Sequence, residues 1–499
     1  GQCGDVVSSL ASVFRHSGDL SEALRLREYL VERYREDGDR VRFQASLGGK
    51  ANILADRGDL KAALELYERG ESICRELGLR ADLRASLGNQ ANILYQQGDV
   101  EGAMKMLGEE EGICREMGDR DGLQRSLGSQ GVILKHNGDL EGAMKLYEEK
   151  ERICRELGLQ ADLGRSLGYQ AKVLYHQGDL RAAMDLYREQ ESICRELGLR
   201  GDLQDSLGHQ GNILAKWGDL GGAMQLYEEK ERICRELGLR SDLQRSLGNQ
   251  ANVLYLWGEL ERALELHKED EHICRELGLR ADLQASLGNQ GVILKDMGDL
   301  DGAMKLYEEK ERICRELGLR DGLQASLSNQ ANILYRRGNM KRAMDLHKEV
   351  ERICRKLGLR RDLQRSLGNQ GAVLMKQGDL EGAMALYKEE ERICREVGLR
   401  GDLQRSLGNQ ANVLYQQGNV KGAMELYEEQ ERICRELGLS QGLMFSLANQ
   451  ALVLANEKGQ IEVARSLAEE AHQIATRHGY RSLAGRTREI LEGIRGTQA

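Results

Sequence analysis

Apolar residues between 81 and 120 fall into two helical sets separated by a polar turn. Leu83, Leu87, Ala91 and Leu94 recur at steps of three or four, one face of a helix that ends at Gly98. Asp99 is then a fitting N-cap for a second helix, with Glu101 in a first turn whose dipole favours negative charge. That second helix turns Ala103, Leu107 and Ile113 inward and closes at Gly118. In most other segments the closing turn reads Gly-Leu, as at Gly78-Leu79, which suits a left-handed glycine followed by an apolar contact. The chain holds 59 glycines and no proline, so glycine supplies its punctuation.

The pattern returns every forty residues. Leu87-Gly88-Asn89-Gln90-Ala91-Asn92 reappears unchanged from Leu247 to Asn252 and from Leu407 to Asn412, and with two changes at 287 and 367. One residue is inserted, just before Gly459. A fixed period of this length predicts an all-α stack of hairpins, each too small to bury its own apolar face. The 499 residues would ordinarily mean about three domains, but the unbroken period predicts one elongated array. Such arrays present surfaces for binding rather than catalytic centres.

These residues resemble the tetratricopeptide repeat family. With Gly98 aligned to that family's mid-repeat glycine, Ala91 and Ala103 fall on its small packing positions and Leu87 on its large apolar one. Tyr147, Tyr187 and Tyr227 match its aromatic position on the second helix. The forty-residue form, with Leu-Gly-Asn followed by Gly-Asp, looks most like the Pins-type cell-polarity adaptors and more distantly kinesin light chains. The resemblance covers 1–480 as about twelve repeats, with 481–499 a capping helix and tail. It implies a right-handed superhelix whose first helices line the concave wall and whose second helices form the outer wall. Two departures stand out: Gln90 and its equivalents replace the usual leucine, predicting a buried polar column, and the family's terminal proline is missing.

Composition narrows the function. Charged residues make up 31% and hydrophobic ones 40%, and no apolar run approaches the roughly 20 residues that cross a bilayer. A formal charge of −9 argues against nonspecific nucleic-acid binding. No leader segment is visible and the chain starts at Gly1, so a fragment of a larger protein is expected. Ten of the eleven cysteines, Cys74 to Cys434, recur once per repeat. Equivalent atoms of adjacent hairpins lie about 8–10 Å or more apart, whereas a disulfide needs Cα atoms within about 7 Å. Free buried thiols in a reducing, cytoplasmic setting are therefore expected, with no metal or cofactor, since no CxxC or HxxxH spacing occurs.

Candidate ligand contacts are the first-helix residues that point away from the packing seam. One column is Asn89, Asn249, Asn289, Asn329, Asn369 and Asn409, interrupted by Ser129, Tyr169 and His209. A second, three residues on, includes Asn52, Asn92, Asn212, Asn252, Asn332 and Asn412. Asparagine amides both donate and accept, so such ladders suit the backbone of an extended peptide. The first column could equally bridge neighbouring repeats. Beside them Tyr95, Tyr175, Tyr255, Tyr335 and Tyr415 accompany alanine (Ala91 to Ala411) in alternate repeats. Glycines Gly131, Gly211, Gly291 and Gly371 mark the repeats between, so the true period is eighty. Duplication of a two-repeat block, or spaced aromatic anchors, would each account for it.

Arg125, Lys135, Arg165, Lys172, Lys216, Arg245, Lys295, Arg336, Arg365, Lys376 and Arg405 share this wall, opposed by few acids such as Asp205 and Asp296. A basic groove would draw an acidic, extended peptide. Single-stranded nucleic acid is the competing ligand, because tyrosines among basic residues also make a stacking platform. The acids of Glu148-Glu149-Lys150-Glu151-Arg152 are expected on a solvated outer face. Glycine inside the first helix, at Gly88, Gly128, Gly168 and Gly208, costs about 0.5–1 kcal/mol each; either close packing or an open groove floor would compensate. No nucleophile, base and acid set and no nucleotide loop can be assembled. The expected role is a non-enzymatic interaction scaffold. The alternatives are a self-associating spacer, or the sensor arm of a larger nucleotide-switch protein.

Overall fold

A computed structural model of the chain describes residues 2–455, 457 and 460–496, and the insertion before Gly459 lies outside them. Among the described residues every regular element is a helix, 25 in all. The chain divides into two compact halves, Gly1–Val253 and Leu254–Ala499. Each half is a run of helical hairpins of the same build. In the repeat 81–120 the helices are Arg80–Gln96 and Val100–Met117. Asp99 caps the second by accepting from Gly102 N at 2.8 Å. Gly98 and Gly118, at φ 85° and 67°, make the two turns in a region closed to most side chains. The second half ends in the helix Arg481–Gly496, whose Leu491 and Ile494 pack on Ala451, Ala464 and Ala468.

Most core clusters draw on two repeats. Cys74, from the second helix of one repeat, packs with Leu83 and Leu87 of the next first helix and with Ile113 beyond it. Inside each half a first helix is thus sandwiched between two second helices, so a repeat leans on its neighbours. Cys74 to Cys434 are free, buried thiols. Burial pushes the Cys74 thiol up to about 11, and several others donate to a glutamine of the adjoining first helix, as Cys434 does to Gln404 Oε1 at 3.5 Å. First helices of successive repeats also touch one another, as Arg40–Asp56 does Arg80–Gln96.

The seam between repeats is polar at its edge, and its pattern recurs from Ser86 onward, whereas Lys50 takes the glutamine position at the first seam and pairs with Glu28. Ten serines, Ser86 to Ser446, donate to the carbonyl nineteen residues earlier at 2.6–3.2 Å. Ten buried glutamines, Gln90 to Gln450, donate to a glutamate of the preceding second helix at 2.6–2.8 Å. The glutamate is held in turn by an arginine one turn on, which reaches the next repeat: Gln130, Glu111, Arg115 and Glu149 form one such bracket. The expected buried polar column is real, and its partner is the supposedly solvated acidic face. Lys150 corrects that expectation most sharply, being 4% exposed with Nζ 3.3 Å from Gln124 O.

Candidate ligand face of the first helices

The two asparagine columns are largely tied to the protein itself. Tyr67, Tyr227 and Tyr427 donate to Asn52, Asn212 and Asn412 of their own repeats at 2.5, 2.7 and 2.6 Å. Asn249 donates to Asn212 at 3.1 Å, Asn369 to Asn332 at 3.3 Å and Asn449 to Asn412 at 3.4 Å. In these repeats the first column bridges to the second column of the preceding repeat. The bridge fails where that second-column residue is not asparagine: Asn329 and Asn409 follow Val292 and Ala372 by the same thirty-seven residues. Among the described residues, the side chains of Asn89, Asn92, Asn329 and Asn409 make no hydrogen bond. Asn252 is exposed and Asn289 half-buried on the same face.

The tyrosines reach forward into the next repeat. Tyr95 stacks on His136 with ring centroids 5.9 Å apart, and the Tyr255 hydroxyl donates to Asp296 at 2.8 Å. Lys216 Nζ lies 4.0 Å from the Tyr175 ring centre and Lys376 Nζ 4.9 Å from that of Tyr335. Tyr415 is the most open, at 38% exposure. The eighty-residue alternation therefore has contacts behind it: a tyrosine and its partner clasp two consecutive repeats. Glycine in the intervening repeats lets the tyrosine ring lie close against the first helix, whereas Ala171 and Ala411 share their clusters with Tyr187 and Tyr427. A Cβ on Gly131, Gly211, Gly291 or Gly371 would lie 2.4–2.6 Å from the ring of Tyr147, Tyr227, Tyr307 or Tyr387.

The wall carries more acids than expected. Arg125, Arg165, Arg365 and Arg405 pair with Asp121, Asp162, Asp362 and Asp402 at 3.0, 2.8, 3.6 and 3.3 Å, and Arg245 pairs with Asp242. These aspartates sit in the first helical turn, where the dipole also favours them. Lys172 meets Asp205 at 2.7 Å and Lys295 meets Asp296 at 3.5 Å. Burial, with Lys172 nearby, holds Lys135 below the usual lysine range. Exposed pairs of this kind are worth about 0–1 kcal/mol, so an incoming anion can exchange with them.

The remaining first-helix glycines are windows onto the second helix. A Cβ on Gly88, Gly128, Gly368 or Gly408 would come within 3.0, 3.3, 2.5 and 2.7 Å of Glu110, Lys150, Glu390 and Gln430. Close packing, not an open floor, explains them. At 328 serine replaces glycine, and the facing residue is the compact Val350. Glu390 is fully buried, and burial lifts its carboxyl to about 7 against the pull of Arg405, 3.3 Å away.

Cavities gather a subset of the candidates, all in the second half save one. Lys295, Asn329, Asn332, Tyr335 and Asn369, from three consecutive repeats, line a cavity of about 280 Å3 with Arg336. An adjoining cavity of about 200 Å3 shares the three asparagines and adds Arg365. Arg405, Asn409 and Asn412 line a larger one of about 460 Å3, and Asn89 lines one of about 280 Å3 with Asn52 in the first half. The serine, glutamine and Asp-cap partners that organise this face carried a readable signal, their invariance from repeat to repeat.

Two repeats, 323–357 and 44–69, match the family described as "Tetratricopeptide repeat". With the same hairpin recurring on both sides of each match, the chain is a tetratricopeptide repeat protein. No curated protein matches it significantly. Solved structures similar to it include BtubC (BKLC) from P. vanneervenii, 21% identical over 44% of this chain and 92% of that one, TM-score 0.40. A signal transduction ATPase with numerous domains and a tetratricopeptide repeat sensor, from Pyrococcus horikoshii, is 16% identical over 71% of this chain and 50% of that one, TM-score 0.47. The apo form of RapI is 16% identical over 55% of this chain and 98% of that one, TM-score 0.45. Among the described residues no helix is long and apolar enough to cross a membrane.

Proposed function

We propose that the array is a protein-interaction scaffold that holds an extended, acidic peptide segment along the first helices of its second half, in a reducing compartment such as the cytoplasm. One observation carries this reading: the two adjoining cavities where Asn329, Asn332 and Asn369 meet Tyr335, Lys295 and Arg365. Asn329 brings an amide with no partner among the described residues, able to donate to and accept from a ligand backbone. Tyr335 offers an aromatic wall, and Arg365 and Lys295 exchange weak internal pairs for ligand carboxylates. The test compares partner capture by the full chain with Asn329→Ala and Arg365→Glu variants of equal helical content. Affinity is expected to fall about tenfold for the charge reversal and less for the amide. Unchanged capture by both variants would remove the peptide from this face.

A specific observation favours a second reading, an array that stacks on copies of itself. In the helix Gln2–His16, Val6 and Leu10 take the places that Ser86 and Gln90 hold eighty residues on, and they are 59% and 43% exposed. In that case Leu10→Gln lowers the oligomer size in sedimentation while groove variants leave it unchanged.

A further inference from the structure

The groove of the second half does not simply run out at its last repeat. The cavity of about 460 Å3 there is lined by two arginines, six amide side chains and no carboxylate. One arginine, Arg405, comes from a first helix; the other, Arg486, comes from the terminal helix Arg481–Gly496, eighty-one residues later. Arg486 is exposed and makes no ion pair among the described residues. Arg405 shares its charge with Glu390 and Asp402, both 3.3 Å away. Asn409, also on the lining, has no hydrogen-bond partner among the described residues, and Ala372 stands where a bridging asparagine would be.

A buried amide fixes what else the site needs. Gln404 Nε2 donates to Gly401 O at 3.2 Å, which orients the Gln404 carbonyl toward Gln430. Gln430 Nε2 donates to that oxygen at 3.0 Å, so the other end of the Gln430 amide is settled as the acceptor Oε1. Gln430 is 5% exposed, and its Oε1 is buried without a partner, 2.7 Å from where Gly408 would carry a Cβ. Leaving a buried acceptor unmade is costly. The glycine leaves it facing the cavity.

We propose that this cavity is an oxyanion pocket whose ligand carries a hydrogen-bond donor beside the anion, and that the terminal helix builds it by supplying Arg486. Two guanidinium groups with no opposing carboxylate on the lining select the anion, and their forked donors match a carboxylate or phosphate. The Gln430 acceptor selects an adjacent N–H or O–H. An Asp or Glu residue of the bound segment has both, its side-chain carboxylate and a backbone N–H. The assignment of the anion to a peptide rests on the groove reading; hydrogenphosphate, with its own O–H, is the free counterpart.

The test titrates the full chain by calorimetry with three probes: a blocked peptide, N-acetyl-Glu-Glu-Glu-amide; hydrogenphosphate; and succinate, a dianion without a donor. The blocked peptide is expected to bind best, succinate at least tenfold more weakly, and Arg486→Glu to weaken the peptide at least tenfold with helical content unchanged. Arg486→Lys, which keeps charge but loses the fork, should fall between. Hydrogenphosphate binding as tightly as the peptide, with the same loss in Arg486→Glu, supports the pocket and makes the free anion its ligand. Peptide affinity indifferent to Arg486→Glu, or succinate equal to the peptide, overturns the proposal. Asn329 lies outside this cavity, so Asn329→Ala reads the groove separately, through partner capture. A pocket that fails while that variant still weakens partner capture leaves the groove reading standing.

Discussion

The neighbouring repeats 321–360 and 361–400 share one seam and differ in their interiors. Ser326 and Ser366, and Gln330 and Gln370, make the same seam hydrogen bonds in both, and Cys354 and Cys394 are both buried free thiols. Inside, the first has Ser328 against Val350 and Ala331 with His347; the second has Gly368 against Glu390 and Gly371 with Tyr387. The seam is fixed because each repeat must fit any other. The interior is private to one hairpin, and in the second of these repeats Gly368 and Gly371 lie against the long Glu390 and the ring of Tyr387. What the seam forbids, the interior permits: a carboxylate with no solvent.

Removing that carboxylate has the largest expected effect. Burial lifts Glu390 from its ordinary value of 4.5 to about 7, so the folded chain holds its proton more tightly than the unfolded one. Its stabilising contribution is complete below about pH 4.5 and is lost as pH rises through 7. Glu390→Gln is therefore expected to match the parent near pH 4.5 and to exceed it at pH 8 by about 3 kcal/mol. Urea unfolding, or hydrogen exchange of Leu380–Val397, at the two pH values reads the difference. A gap that does not change with pH would end the distinction between the two interiors, since Val350 has nothing to titrate.

Next in size is Gly371→Ala. Its methyl would lie 2.5 Å from Tyr387 Cε1, a ring 2% exposed and walled in. Overpacking of this kind costs about 1–3 kcal/mol, offset by about 1 kcal/mol of helix propensity, so a net loss of about 1 kcal/mol is expected in thermal melts. The preceding repeat shows the remedy, because Ala331 lives beside the smaller His347. Gly371→Ala combined with Tyr387→His should recover most of the loss. A double variant no better than the single one would mean that glycine is there for a reason other than the ring.

The period, the turns, the free thiols and the buried glutamine column were legible because each follows from residue type at a fixed spacing. The face was harder to read. Asn412 looks like a ligand contact until Tyr427, on the other helix, is seen to donate to it, and spacing on one helix says nothing of a partner fifteen residues away on another. Arg125 looks unopposed until Asp121, one turn earlier on the same helix, is found 3.0 Å away. Lys150 sits in a run of charges that periodicity assigns to solvent, and only the missing side chain at Gly128 betrays that it points inward. Repetition itself held the missed signal: residues that never vary between repeats hold the stack, and the asparagines that lost their partners are the ones left for a ligand.

That last distinction can be tested by the smallest change of all. Asn369 donates to Asn332 at 3.3 Å, whereas Asn409, in the equivalent place one repeat on, faces Ala372. Ala372→Asn restores the missing acceptor without touching Asn409. An added hydrogen bond on a half-exposed face is worth about 0.5 kcal/mol, so stability should rise slightly or stay level. Ligand affinity carries the decision. With its amide engaged by the protein, Asn409 must break that bond to serve a ligand, and affinity for an acidic peptide should drop about threefold, as it should in Asn409→Ala, which gains no stability. If Ala372→Asn stabilises the chain and leaves peptide affinity unchanged, Asn409 is not a ligand contact. The ladder then belongs wholly to the stack, and binding on this face must rest on Tyr335 and the arginines.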